Sequence, residues 1–296
     1  MGVRRALELA CTQLTCGKAE NPAGKVYTLG PLIHNPQALE DLKQQGIEIL
    51  DEARLPENLA GSVVIIRAHG INPQTEAELR RLGAALVDAT CPKVKASQLK
   101  AESLAKAGYR LFLAGEKTHA EIAGIRGYAQ EGWLQRNDAA GSKQFLQVIS
   151  SAGEADTAAG NLFAEDQALQ ICPAKTALLA QTTISAEEYH AIGAVISRYF
   201  PMLEIIQTIC AATKERQDSL RELLGRVDAV VIGGGKDSAN TRRLLSIAQA
   251  SGKPCSIVET AADIPPDFYK FETVGLAAGA STPDTVIEAI SHRLTK

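Results

Sequence analysis

A chain of 296 residues, 45% hydrophobic and 22% charged, has the balance of a globular protein and is long enough to bury a substantial core in two or three domains. A formal net charge of −3 with 4% aromatic residues excludes the basic, ring-lined surface that nucleic acid needs, so the expected partner is a small molecule. No apolar run approaches the ~20 residues of a membrane helix, and Glu8 and Gln13 interrupt any signal-type core after Met1-Gly2-Val3-Arg4-Arg5, so no membrane association and a cytoplasmic location are expected.

The first helix is expected over 4–16, closing near Gly17, and a short apolar run at 26–29 leads through Gly30-Pro31 to His34. Apolar runs recur at 62–68, 85–88, 110–114, 177–180, 203–207, 229–232, 255–258 and 274–277. Between them, 74–82, 95–107, 186–199, 214–224 and 241–251 place apolar residues three and four apart, as amphipathic helices do. Strands alternating with helices imply parallel sheets with crossover helices, so the fold class is α/β. The stretch 137–161, rich in Ala, Gly and Ser and weakly periodic, is expected to be a surface loop or insertion without chemistry. Two segments echo each other, Leu86-Val87-Asp88-Ala89-Thr90-Cys91 and Glu204-Ile205-Ile206-Gln207-Thr208-Ile209-Cys210. Each is an apolar strand ending in a cysteine and followed by a helix, which suggests duplicated α/β units.

Open α/β sheets bind ligands at the carboxyl ends of their strands, and this rule sorts the polar residues. The chain is too large to need disulfides, so its cysteines are expected to be reduced thiols or metal ligands. Cys91 and Cys210 end strands and are candidate metal ligands. Cys172 and Cys255 lie at or before the start of theirs, and Cys11 and Cys16 belong to the first helix; these read as small buried or partly buried thiols. His34, His69 and His119 follow strands, whereas His190 and His292 sit inside helices.

Gln181-Thr182-Thr183, Ser238-Ala239-Asn240-Thr241 and Ala278-Gly279-Ala280-Ser281-Thr282-Pro283 put hydroxyls and amides where helices begin. Such residues are ordinary helix caps, or else they form an anion site in which backbone N–H groups, the positive helix end and side-chain donors converge on phosphate. Gly233-Gly234-Gly235-Lys236 lacks the P-loop spacing and is followed by Asp237, and no dinucleotide-binding glycine pattern follows the first strand, so an ATP or NAD site is unsupported. Glu121 stands two residues after His119; negative neighbours would raise its pKa and suit it to general acid catalysis, the alternative being a plain charged residue opening a helix.

In their order and spacing, Gly2-Val3-Arg4-Arg5-Ala6, Ile33-His34-Asn35, Arg67-Ala68-His69-Gly70, Asp88-Ala89-Thr90-Cys91-Pro92, His119-Ala120-Glu121, Gln181-Thr182-Thr183, Cys210-Ala211-Ala212-Thr213, Ser238-Ala239-Asn240-Thr241 and Ala278-Gly279-Ala280-Ser281 resemble one family across essentially the whole chain. That family is 4-hydroxy-3-methylbut-2-enyl diphosphate reductase, the last enzyme of the non-mevalonate isoprenoid pathway. The resemblance implies three α/β units, 1–91, 92–205 and 206–296, in a trefoil-like arrangement around a central [4Fe-4S] cluster. Cys91 and Cys210 would be cluster ligands, and an open iron would take the substrate's hydroxyl oxygen as a Lewis acid. By the same carry-over, His34, His69, His119, Thr182, Ser238, Ala239, Asn240 and Ser281 bind the substrate and Glu121 donates the proton. Reductive dehydroxylation then gives isopentenyl and dimethylallyl diphosphate, with ferredoxin or flavodoxin as electron donor.

The chain departs from the family pattern in two places. The family's third cluster cysteine, in Gly-Phe-Cys-x, is expected immediately before Met1, and Ala239 stands where many relatives carry a second serine. The first departure leaves an alternative, a cluster-free diphosphate-binding relative without catalysis. A zinc hydrolase using Cys91, Cys210 and a loop histidine is a third reading, but it gives no reason for the hydroxyl-rich helix starts.

Overall fold

The computed structural model describes residues 2–20, 25–32, 36–136, 145–170 and 175–295; His34 and Cys172, and the side chain of Cys16, lie outside the described residues. Helix α1 (Gly2–Glu20) precedes β1 (Val26–Leu29), α2 (Pro36–Gln44), β2 (Ile47–Leu50), β3 (Val63–Ile66), α3 (Pro73–Arg81) and β4 (Ala85–Asp88). The chain continues through α4 (Pro92–Lys106), β5 (Arg110–Ala114), α5 (Ala120–Leu134), β6 (Leu146–Ile149), α6 (Ala152–Ala168), β7 (Thr176–Ala180), α7 (Ala186–Tyr199) and β8 (Glu204–Ile205). It ends with α8 (Ala211–Leu224), β9 (Ala229–Gly233), α9 (Ala239–Ala250), β10 (Cys255–Val258), β11 (Val274–Ala278) and α10 (Asp284–Leu294).

These strands form three sheets, ordered β2-β1-β3-β4, β6-β5-β7-β8 and β10-β9-β11, and the recorded pairings are all parallel. Each sheet is laid down the same way: a central strand, a neighbour on one side, then a strand on the other. The path therefore reverses between β1 and β3, between β5 and β7, and between β9 and β11. At such points the loops leave in opposite directions and open a crevice above the strands' carboxyl ends. Register keeps those ends level: Val26 pairs with Ile47 and Val63, Leu111 with Leu146 and Ala177, and Val230 with Cys255 and Gly275.

The apolar runs are continuous because helices cover both faces of the sheets. In the second sheet Phe112, Ala114, Leu178 and Ala180 pack toward α6 and α7, while Leu111, Leu113, Ala177 and Leu179 pack toward α4 and α5. The other two sheets are likewise sandwiched between two apolar layers each.

Three expectations are corrected. The segment 145–161 is not a loop: it contains β6 and the first ten residues of α6, which Ser151 caps by accepting from the Glu154 N–H at 3.2 Å. Ala155, Ala159 and Leu162 form the buried face of α6, and alanine methyls give too faint an apolar stripe to read in sequence. Helix α1 runs past Gly17 to Glu20, since one glycine costs a helix only about 1 kcal/mol and the helix-favouring Lys18-Ala19-Glu20 follow. Cys11 is exposed rather than buried, because Ala6, Ala10 and Leu14 take the inward face of α1.

Arg110 opens β5 at the amino end of the sheet, and its guanidinium bonds both carboxylate oxygens of buried Asp166 at 2.7 and 2.8 Å. Asp166→Ala leaves that cation buried and alone. The expected cost is about 3–5 kcal/mol of unfolding free energy, measured by chemical denaturation, with ligand binding at the opposite sheet edge unchanged.

Candidate active site at the carboxyl ends of the strands

Among the described residues, the expected binding residues His69, His119, Thr182, Ser238, Ala239, Asn240 and Ser281 lie in the loops or at the helix starts that follow β3, β5, β7, β9 and β11. After β5, His119 caps α5: its Nδ1 accepts from the Glu121 N–H at 3.1 Å, which puts the proton of a neutral ring on Nε2. The Glu121 side chain turns into the protein and is 1% exposed. Its carboxylate accepts two bonds from Thr182, after β7: the backbone N–H gives 2.7 Å to Oε1 and the hydroxyl gives 3.0 Å to Oε2. Burial raises the Glu121 pKa to about 7, against the opposing pull of the two Thr182 bonds. The elevated pKa was expected from negative neighbours, but desolvation is its main cause here. A carboxyl group balanced near neutral pH is suited to deliver a proton.

His69, after β3, meets His119 edge to face with ring centroids 5.2 Å apart, which brings the first sheet's loop against the second's. The cysteines enter from the outer strands, β4 and β8. Each is the N-cap residue of the next helix, α4 or α8, and neither side chain makes the capping bond. Their amides are held alike. The Cys91 N–H donates to the Ala68 carbonyl, next to His69, at 2.9 Å, and the Cys210 N–H donates to the Thr182 carbonyl at 3.0 Å. Both cysteines thus hang beside the binding loop of their preceding sheet, at matching positions, and both are free and half-exposed.

The third sheet supplies the hydroxyls and amides. Ser238 caps α9, weakly, accepting from the Thr241 N–H at 3.4 Å, and Ala239 is the helix's first residue. Asn240 and Ser281 are 5% and 8% exposed, yet among the described residues neither amide atom of Asn240 and not the Ser281 hydroxyl has a hydrogen-bond partner. Buried polar atoms without partners cost about 1–3 kcal/mol each, so a set of them at two neighbouring strand ends points to a polar ligand. Gly234 (φ +149°) and Gly279 close on Thr241, and a Cβ at either would collide with its hydroxyl. Thr282 donates to the Gly233 carbonyl at 2.9 Å and pins the loop after β11 to the end of β9.

Some contributors carry no sequence signal as site residues. Thr208 bridges the backbone N–H and carbonyl of Ala180, each at 2.8 Å, and so fixes the approach to Cys210. Gln181 accepts from the Glu116 N–H at 2.9 Å and donates to the Thr183 hydroxyl, also at 2.9 Å; it was visible only as part of its polar triplet. Cys255 opens β10 at the far edge, and burial pushes its thiol pKa up, as befits a packing residue. His190 and His292 are exposed on their helices and stand apart from the site.

A buried carboxyl with a raised pKa and orphaned polar atoms at neighbouring strand ends lie along the carboxyl edges of the sheets, the edges at which α/β enzymes bind their substrates. The family model described as LytB protein matches residues 1–295, and the chain belongs to that family. It is 42% identical over 295 residues to the 4-hydroxy-3-methylbut-2-enyl diphosphate reductase of Treponema pallidum (strain Nichols), covering 92% of this chain and 75% of the relative. The reductase of the same name from Treponema denticola is 39% identical, covering 99% of this chain and 94% of the relative. A solved structure of (E)-4-hydroxy-3-methyl-but-2-enyl diphosphate reductase, described as the terminal enzyme of the non-mevalonate pathway, is 35% identical with a TM-score of 0.65, covering 100% of this chain and 95% of its own. The reductase structure from Plasmodium falciparum shares the fold at a TM-score of 0.83 and 24% identity, covering 100% of this chain and 84% of its own.

Proposed function

We propose that the chain is an oxidoreductase that removes the hydroxyl group of 4-hydroxy-3-methylbut-2-enyl diphosphate reductively, giving isopentenyl and dimethylallyl diphosphate. Two electrons and two protons enter, the allylic C–O bond breaks, and the oxygen leaves as water. The observation that carries this reading is the Glu121–Thr182 pair, a buried proton-holding carboxyl and its partner, bonded to His119 and Cys210 through their backbones, with His69 packed against His119. His69, His119, Ser238, Asn240 and Ser281 bind the diphosphate, together with the first-turn N–H groups of α9, including that of Ala239, and His34 belongs to the same set. Thr182 fixes Glu121 and helps orient the substrate, and Glu121 delivers a proton where the hydroxyl departs.

The donor set fits an iron-sulfur cluster in part. Cys91 and Cys210 are free thiols at helix N-termini, and neither side chain is used in capping its helix. Among the described residues, no group of three or more His, Cys, Asp or Glu side chains stands together as a metal site. Cys91 and Cys210 would hold a [4Fe-4S] cluster, which supplies electrons and Lewis acidity when bound. The proposed units are 1–91, 92–205 and 206–296, arranged around that centre. Ferredoxin or flavodoxin is the proposed electron donor, in the cytoplasm; among the described residues no helix is long and apolar enough to cross a membrane.

Anaerobic turnover of the diphosphate substrate with a chemical one-electron reductant, read out as the two hydrocarbon diphosphates, tests the assignment directly. Asn240→Ala removes donors that have no partner among the described residues, and its affinity for inorganic pyrophosphate is expected to fall about 10- to 100-fold by titration calorimetry, as for a hydrogen bond to a charged group. An unchanged affinity would remove Asn240 from the diphosphate site.

A further inference from the structure

The guanidinium of Arg242, in the first turn of α9, spans two loops from different sheets. Its Nη1 donates to the Asp237 carbonyl at 3.0 Å, immediately before Ser238. Its Nη2 donates to Glu116 Oε2 at 2.5 Å, in the loop that leads from β5 to His119 and Glu121. Glu116 is itself anchored, since its N–H is held by Gln181, the neighbour of Thr182. One side chain therefore joins the loop that leads into Ser238 and Asn240 to the loop that leads into His119 and the buried Glu121. We propose that Arg242, through Glu116, is a positioning residue that sets the diphosphate-binding loop of the third sheet against the acid-bearing loop of the second.

This inference rests on the reductase reading, in which His119 on one side and Ser238, Asn240 and Ser281 on the other grip the same diphosphate. A ligand gripped from two bodies binds more tightly when their spacing is set beforehand, because less freedom is lost on binding. The Arg242 and Glu116 side chains are 42% and 37% exposed, so the pair's own strength is modest and both positions tolerate neutral isosteres. A second ion pair between the same helices' neighbours, Arg221 on α8 with Glu187 on α7 at 3.0 Å, touches neither loop and serves as a control.

The test is titration calorimetry of the full chain with inorganic pyrophosphate. Glu116→Gln and Arg242→Gln are each expected to weaken binding about three- to fivefold, the size a half-exposed pair can carry, and the double variant to be no weaker than either single. Removing a negative charge near an anion site would by itself tighten binding, so a loss in Glu116→Gln reports positioning rather than charge. Arg221→Ala should bind as the parent does. Tighter or unchanged binding in Glu116→Gln, additive losses in the double variant, or an equal loss in Arg221→Ala would each overturn the proposal. Absence of pyrophosphate binding by the parent chain would instead remove the reductase reading on which it stands.

Discussion

Glu121→Gln is expected to lower turnover by about 10²–10⁴ while pyrophosphate affinity and any visible absorbance from a bound cluster stay as in the parent. Glutamine keeps the shape: its carbonyl can accept from the Thr182 N–H and its amide can donate to the Thr182 hydroxyl, so only the transferable proton is lost. Because the carboxyl titrates at about 7, turnover of the parent should fall as pH rises through that value, and the variant's residual rate should lack this limb. Stability moves with the same group. The unfolded chain releases this proton near 4.5 and the folded chain near 7, so the protonated form's contribution is full below about 4.5 and is lost as pH rises to about 7. Above that window Glu121→Gln should be more stable than the parent, by at most on the order of 3 kcal/mol, measurable by denaturant titration at pH 8. A variant that turns over normally would take Glu121 out of proton delivery.

The alternation of apolar runs and helical stretches was readable because sheets covered on both faces need continuous apolar strands, as Arg110–Ala114 and Ala229–Gly233 show. Helix α6 was not, since its inward face is largely alanine, and neither was the strand order, which depends on which crossovers pack where. The strand-end rule put Cys91, Cys210, His69, His119 and the loops of the third sheet after the carboxyl ends of strands, and the structure has them there. It could not supply the Thr182–Glu121 pairing, because the two residues meet only through the adjacency of β5 and β7. For the same reason the burial that lifts the Glu121 pKa was invisible: position two of a helix, in sequence, is usually a wet one. The echo between the Cys91 and Cys210 segments proved to be structural. Both follow the last strand of a sheet built in the same order, and both cap a helix with an unused side chain.

That equivalence makes the cysteine variants the other large test. Sulfur is the soft ligand that iron-sulfur clusters take, and a serine in its place presents a harder oxygen, so an iron-sulfur cluster should not survive the exchange. Cys91→Ser and Cys210→Ser are each expected to lose most of the iron and acid-labile sulfide measured after anaerobic purification and reconstitution, and turnover with them. Pyrophosphate binding should persist, because the third-sheet donors remain. Cys255→Ser, at the start of β10 on the opposite edge, should keep iron, sulfide and activity. The two sets of readouts separate cluster from diphosphate. A parent chain that binds pyrophosphate but holds no iron or sulfide is the cluster-free relative, and one that holds zinc in their place is the hydrolase. Iron and sulfide that depend on Cys91 and Cys210, but not on Cys255, tie the redox centre to the two capping positions that the duplicated strand order creates.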